Sequence, residues 1–182
     1  MLPNMSLGDE PDGAVHRLRA LAHPVRLEML SLLTGAALSA AEVSRELDIS
    51  HANASYHLRL LLAARLLVVA SEEKVNGGVA KRYRHLWDQP PPETGTRSQG
   101  DVEAEVRTMV DAVSRRFTRR VPGQPGHYTD ADLWVQPVVW QEVKNLLTQA
   151  SRLMHAEAQP PHAEGTVRAN LSIMAFRLED RP

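Results

Sequence analysis

No cysteine occurs among the 182 residues. Disulfide staples, zinc–thiolate sites and thiol redox sensing are therefore excluded. Aromatic residues are few, with two Phe, three Trp and three Tyr. The core must come mostly from Leu, Val and Ala, of which Leu and Ala enter helices at little entropic cost. A run of 18 apolar residues is also missing, so no segment reads as a membrane span. The polar, acidic stretch Met1–Asp12 lacks the regions of a signal peptide, which points to the cytoplasm. There is no glycine-rich phosphate loop, no GxSxG and no HExxH, and the carboxylates are scattered, so the chain reads as a non-enzyme. An excess of positive charge is absent as well: the formal net charge is −1, whereas many nucleic-acid binders are strongly basic. Any polyanionic partner must be met by local charge.

What is present is a folded-protein composition, 43% hydrophobic and 24% charged. Arg far outnumbers Lys among the 21 basic residues and Ala is abundant, as in a GC-rich bacterial coding sequence. Residues 1–12 read as a disordered tail, 13–88 as one domain, 89–100 (QPPPETGTRSQG) as a proline-stiffened linker and 101–182 as a second region. A short helical pattern runs from Gly13 to Leu21. Pro24 opens a helix that stops near Gly35. Ser39 and Glu42 have capping-box spacing and open a second helix. After the turn Asp48-Ile49-Ser50, Ser50 caps a third helix that continues to Ala64, with Ala54, Leu58 and Leu61 inward. Leu66–Ala70 and Val79–Leu86 then read as two strands joined at Asn76-Gly77-Gly78, with Lys74, Lys81, Arg82 and Arg84 making a basic hairpin.

Beyond the linker, a helix from Asp101 to about Arg120 carries Val102, Val106, Met109, Val113 and Phe117 at four-and-three spacing, a packing seam for a second copy. Asp132–Gln136 reads as a short strand, Pro137 opens a helix with Val139, Val143, Leu146, Leu147, Ala150, Leu153 and Met154 inward, and Thr166–Leu178 alternates as a half-buried strand. Trp134 and Trp140 are expected to pack this unit. The fold class is α+β, mainly helical: a winged helix-turn-helix, a dimerisation helix and a small β-α-β unit.

Two short helices joined by a tight turn hold the second proud of the surface, where it fits the major groove. On this helix Ser50, His51, Ala52, Asn53, Ser55, Tyr56 and Arg59 are the groove-facing candidates, and Lys74, Lys81, Arg82 and Arg84 are candidates for DNA backbone contact from the hairpin. His57, beside the apolar face, reads as a partly buried histidine hydrogen-bonded to backbone, ahead of a DNA base contact.

The stretches Ala22-His23-Pro24-Val25-Arg26-Leu27 and Ser55-Tyr56-His57-Leu58, the latter leading to Ala64-Arg65-Leu66-Leu67, closely resemble the ArsR-type winged-helix repressors over about residues 14–87. Leu133–Asp180 resembles the C-terminal portion of longer actinobacterial members. Arg65 departs from the glycine that the family commonly has there, a residue that lets a helix end in left-handed geometry. The resemblance implies a homodimer on double-stranded DNA, with the helix Ser50–Ala64 in the major groove and the Lys74–Arg84 wing on backbone or minor groove. The family's sensory metal sites use cysteines near the third helix or Asp, His and Glu on the last dimer helix. Here cysteine is absent, the Asp101–Arg120 helix has no histidine, and His155 and Glu157 are two apart, off a common face. No metal and no cofactor are expected. The reading is a sequence-specific transcription regulator, a repressor acting as a homodimer on a palindromic operator. Two alternatives stand beside it: gating by a small-molecule effector held in the region 101–178, and a protein-interaction winged helix that does not read DNA.

Overall fold

The computed structural model describes residues 20–75, 78–89 and 98–179. The expected tail 1–12, most of the helical pattern 13–21, the Asn76-Gly77 turn and most of the linker lie outside the described residues. Ala20 and Leu21 are helical. Helix α1 (Pro24–Gly35) begins on Pro24, whose missing N–H would have no helical partner at that position. Then come the two-residue strand β1 (Leu38–Ser39), helix α2 (Ala40–Leu47) and helix α3 (His51–Ala63). The hairpin is β2 (Leu67–Val75) and β3 (Gly78–His85), followed by helices α4 (Gln99–Phe117) and α5 (Pro137–Ala156).

The α1–β3 region has one apolar core. Met29, Leu33, Val43, Leu58, Leu61, Leu66 and Leu67 are fully buried, and Leu47, Ile49 and Tyr83 pack against them. The sheet order is β1-β3-β2, antiparallel, with Leu38 opposite Tyr83 and Leu67 opposite His85. Strand β1 has no counterpart in the sequence reading. Two residues carry no periodicity, and this strand exists only because the exposed edge of β3 lies beside it. A bulge between Val69 and Ser71 shifts the register along β2.

The α+β class holds, but the expected β-α-β unit does not form. Residues 132–136 and 166–178 join no sheet, and only the helix between them is regular. α5 buries none of its residues, and Trp134, expected to pack, is 87% exposed. Within 99–179 only Ala112 is buried. The physical reason is shared by all these positions: alternation and helical spacing specify which face is apolar, but none of the described residues covers that face.

The C-terminal region still touches the first domain. A Cβ on Gly35, at the end of α1, would run into the Gln159 carbonyl, so only glycine fits there. His162 Nε2 lies 3.2 Å from Glu46 Oε2.

Candidate nucleic-acid interface

The presentation of α3 begins with two caps. Ser39 accepts from the Glu42 N–H while the Glu42 carboxylate accepts from the Ser39 N–H, closing the capping box that starts α2. The helix ends at Asp48, whose φ of 52° is left-handed, a conformation that Asp tolerates. The Ile49 N–H then donates to Ser44 O at 3.1 Å, and Ser44 Oγ donates to Ile49 O at 2.6 Å. Ser50 Oγ accepts from the Asn53 N–H at 3.2 Å and starts α3. The three-residue turn expected from the sequence is thus bonded on both sides.

The exit of α3 is the departure flagged by Arg65. It adopts φ 54° without glycine. The Leu66 N–H reaches Leu61 O and the Arg65 N–H reaches Leu62 O, both at 3.0 Å. This is the Schellman pattern. Leu66 and Leu67 are anchored in the core, and their burial holds Arg65 in a geometry that costs a non-glycine residue roughly 1–2 kcal/mol.

α3 buries Ala54, His57, Leu58 and Leu61. The stripe opposite is open: His51, Ala52, Asn53, Tyr56 and Arg59 are exposed, as is Ser50, while Ser55 is half-buried. Tyr56 is 51% exposed although large and partly apolar. Arg59 has no ion-pair or hydrogen-bond partner among the described residues. Acidic side chains are absent from α3, so the stripe carries no negative charge.

The wing differs from the basic hairpin of the sequence reading. Lys81 stands opposite Glu72 in the ladder and pairs with it at 3.2 Å. Arg82 is half-buried and turned inward: it donates to Glu42 and Glu73 at 2.8 Å each and to the Ala37 carbonyl at 2.7 Å. Its guanidinium clamps β2, β3 and the start of α2, and hydrogen bonding to Glu42 raises its pKa further. Burial works against the Glu42 carboxylate, but hydrogen bonds from Ser39 and Arg82 outweigh it and hold the pKa below the ordinary value. Arg82 is therefore a scaffold residue, a role hidden from the sequence because its partners lie far along the chain. Lys74 and Arg84 remain exposed without such partners among the described residues. Arg45 on α2 and Arg65 add two exposed cations that the sequence reading did not assign.

Beneath the stripe, His57 is 5% exposed and lies against His23, ring centroids 4.6 Å apart and planes tilted by 44°. The expected backbone hydrogen bond is not made: Nδ1 of both rings is buried without a partner. Burial, then the charge of Arg26, lowers the pKa of His23. Burial, then His23 and Arg26, lowers that of His57. The pair joins the entry of α1 to the underside of α3.

On α4, Val102, Val106 and Phe117 are exposed, Met109 and Val113 half-buried, and Val110, outside the expected seam, extends the apolar face. Arg120 covers one side of the Phe117 ring at 4.3 Å from its centroid, and Tyr128 meets its edge. Among the described residues no three His, Asp or Glu side chains gather as a metal site, and no helix is long and apolar enough to cross a membrane.

Residues 21–70, which take in α1, α2, α3 and the start of β2, match the family model of a helix-turn-helix domain. No curated protein matches the chain.

Proposed function

We propose that this chain, whose residues 21–70 match the model of a helix-turn-helix domain, is a sequence-specific transcription regulator of the ArsR type. It acts in the cytoplasm as a homodimeric repressor on a palindromic operator. The observation that carries the reading is the open stripe Asn53–Tyr56–Arg59 on α3, held outward by a doubly bonded turn and free of acidic side chains. Arg59 and Asn53 supply the donors that read guanine and adenine edges. Ser50 and His51 at the helix start lie where backbone and side-chain donors meet phosphate. Lys74 and Arg84 on the wing, with Arg45, neutralise further phosphates, and Arg82 supports them from below without touching DNA. The apolar face of α4 pairs with the same face of a second copy and sets two α3 helices on successive major grooves, roughly 34 Å apart.

Selecting bound duplexes from a random library tests this directly. The expected product is an inverted repeat whose affinity falls steeply with salt, because the bound cations displace counterions. Recovery of no enriched sequence, with binding indifferent to salt, would favour the protein-interaction reading, which the ion-paired Lys81 and Arg82 and the low net charge support. Effector gating is supported by a groove lined by Trp87, Leu147, Arg152, His155 and Ile173, which joins the end of the wing region to α5. A ligand there would bias the setting of the wing against α5.

A further inference from the structure

The segment 166–178 has the alternation of a strand, yet among the described residues it has no strand partner. Among the described residues, no backbone hydrogen bond joins 167–178 to any other segment. Water can satisfy the free N–H and C=O groups, but not the apolar side chains: Val167 is 88% exposed and Phe176 68%. We infer that this segment pairs antiparallel with the same segment of a second copy, about a twofold axis at Leu171, to form an intersubunit β-ribbon. The inference rests on the homodimer proposed above and names a second contact within it.

Self-complementarity of the sequence selects the second copy as the occupant. With Leu171 opposite Leu171, Val167 falls opposite Ala175 and Ala169 opposite Ile173, so this face matches large with small side chains on either side of the central Leu pair. On the other face Asn170 meets Ser172, Arg168 meets Met174 and Thr166 meets Phe176, while Arg177 falls beyond the apolar set on the first face, opposite Gly165. No two like charges oppose each other. A shift by one residue would turn the apolar set to the wrong face. The ribbon has a backing: Ile173 shares a groove wall with Leu147 of α5. It is also continuous with the α4 seam, because Arg116 of α4 donates to Asn170 at 3.2 Å.

Within the segment itself Val167, Leu171, Met174, Phe176 and Leu178 are exposed, apolar surface that pairing with a second copy would cover in part.

Because the chain has no cysteine, single cysteines report the register without background. In the full-length protein, Leu171→Cys places two thiols across the axis with Cα atoms about 4.5–5.5 Å apart, within disulfide reach. Mild oxidation should convert most of it to a covalent dimer. Val167→Cys, separated from its own copy by roughly 27 Å at about 3.4 Å per residue, should not cross-link alone, but should when mixed and re-equilibrated with Ala175→Cys. That mixture retains Leu171 and decides the matter even if Leu171→Cys folds poorly. Light scattering on the unaltered protein separates the two failures. A monomer would remove the homodimer and the ribbon together. A dimer in which neither Leu171→Cys nor the mixture cross-links would remove the ribbon alone. A monomer-mass cross-link in Leu133→Cys/Leu171→Cys would show the segment folded back on its own chain and would also overturn it.

Discussion

Arg82 and Arg84 stand two apart on β3, yet the structure gives them different work. Arg82 is held by two carboxylates and a carbonyl, whereas Arg84 is exposed. Removing a half-buried cation leaves Glu42 Oε1 and the Ala37 carbonyl without their donor, while Ser39 still holds Glu42 Oε2, so Arg82→Ala should cost about 1.5–3 kcal/mol of stability, read in urea unfolding. Arg84→Ala and Lys74→Ala should leave the unfolding midpoint in place. They should instead weaken binding to all DNA sequences and lower the salt slope by about one per residue in mobility-shift titrations. Equal stability loss in Arg82→Ala and Arg84→Ala would reverse the assignment. Arg65 offers a test of opposite sign. Its left-handed backbone strains any residue with a Cβ, so Arg65→Gly should raise stability by up to ~1 kcal/mol, the strain relieved being partly offset by the freer unfolded chain. A lowered urea midpoint would mean that the Arg65 side chain stabilises the exit of α3 more than the strain costs.

At the scale of the element, α3 has two faces with separable roles. Tyr56 and Arg59 lie on the open stripe, so replacing either with Ala should cost ~1–3 kcal/mol at a specific site and almost nothing in stability. Unchanged site affinity in both variants would take the reading role away from α3. The buried face holds His57 against His23. Their folded-state pKa values lie below the ordinary 6.5, so the unfolded chain takes up protons first as the pH falls. Stability is therefore full above about pH 6.5 and declines below it, and the loss is complete once the pH passes the lowered folded-state values. Glu42 acts in the same direction at lower pH: its depressed pKa stabilises above the ordinary 4.5, and this is lost as the pH falls through the folded-state value. Urea midpoints measured between about pH 8 and pH 5 should fall, and His57→Phe should flatten the decline. A flat profile in the unaltered protein would mean that both rings accept protons without cost.

The whole molecule is lopsided. Residues 20–89 enclose a core, whereas 99–179 bury only Ala112. Such a region cannot offset the entropy of its own ordering, so its structure depends on what covers it. Val106→Glu on α4 should therefore do more than remove one contact. Under the proposed α4 dimer, it should shift the protein to half the dimer mass in light scattering at micromolar concentration. Operator affinity should fall by tenfold or more, a loss of at least about 1.4 kcal/mol. A charged variant that stays dimeric and binds DNA normally would place the interface elsewhere.

Local chemistry was legible from the residues alone. Pro24 at a helix start, Ser39 with Glu42, Ser50, and the inward set Ala54, Leu58 and Leu61 each obey rules spanning a few positions. Together with the order of elements and the resemblance at Ala22–Leu27 and Ser55–Leu58, they pointed to the helix-turn-helix without tertiary information. The absence of cysteine was equally decisive. What depended on tertiary structure were the groups whose partners are distant in sequence. Arg82 reads as one of four hairpin cations until Glu42, 40 positions away, is placed beside it. β1 exists only against β3, and the His23–His57 contact needs two helices to meet. The strand pattern at 166–178 was visible, but a strand is made by its neighbour. Alternation tells which side is apolar; whether a ladder forms depends on another segment lying about 4.8 Å away, and among the described residues none pairs with it.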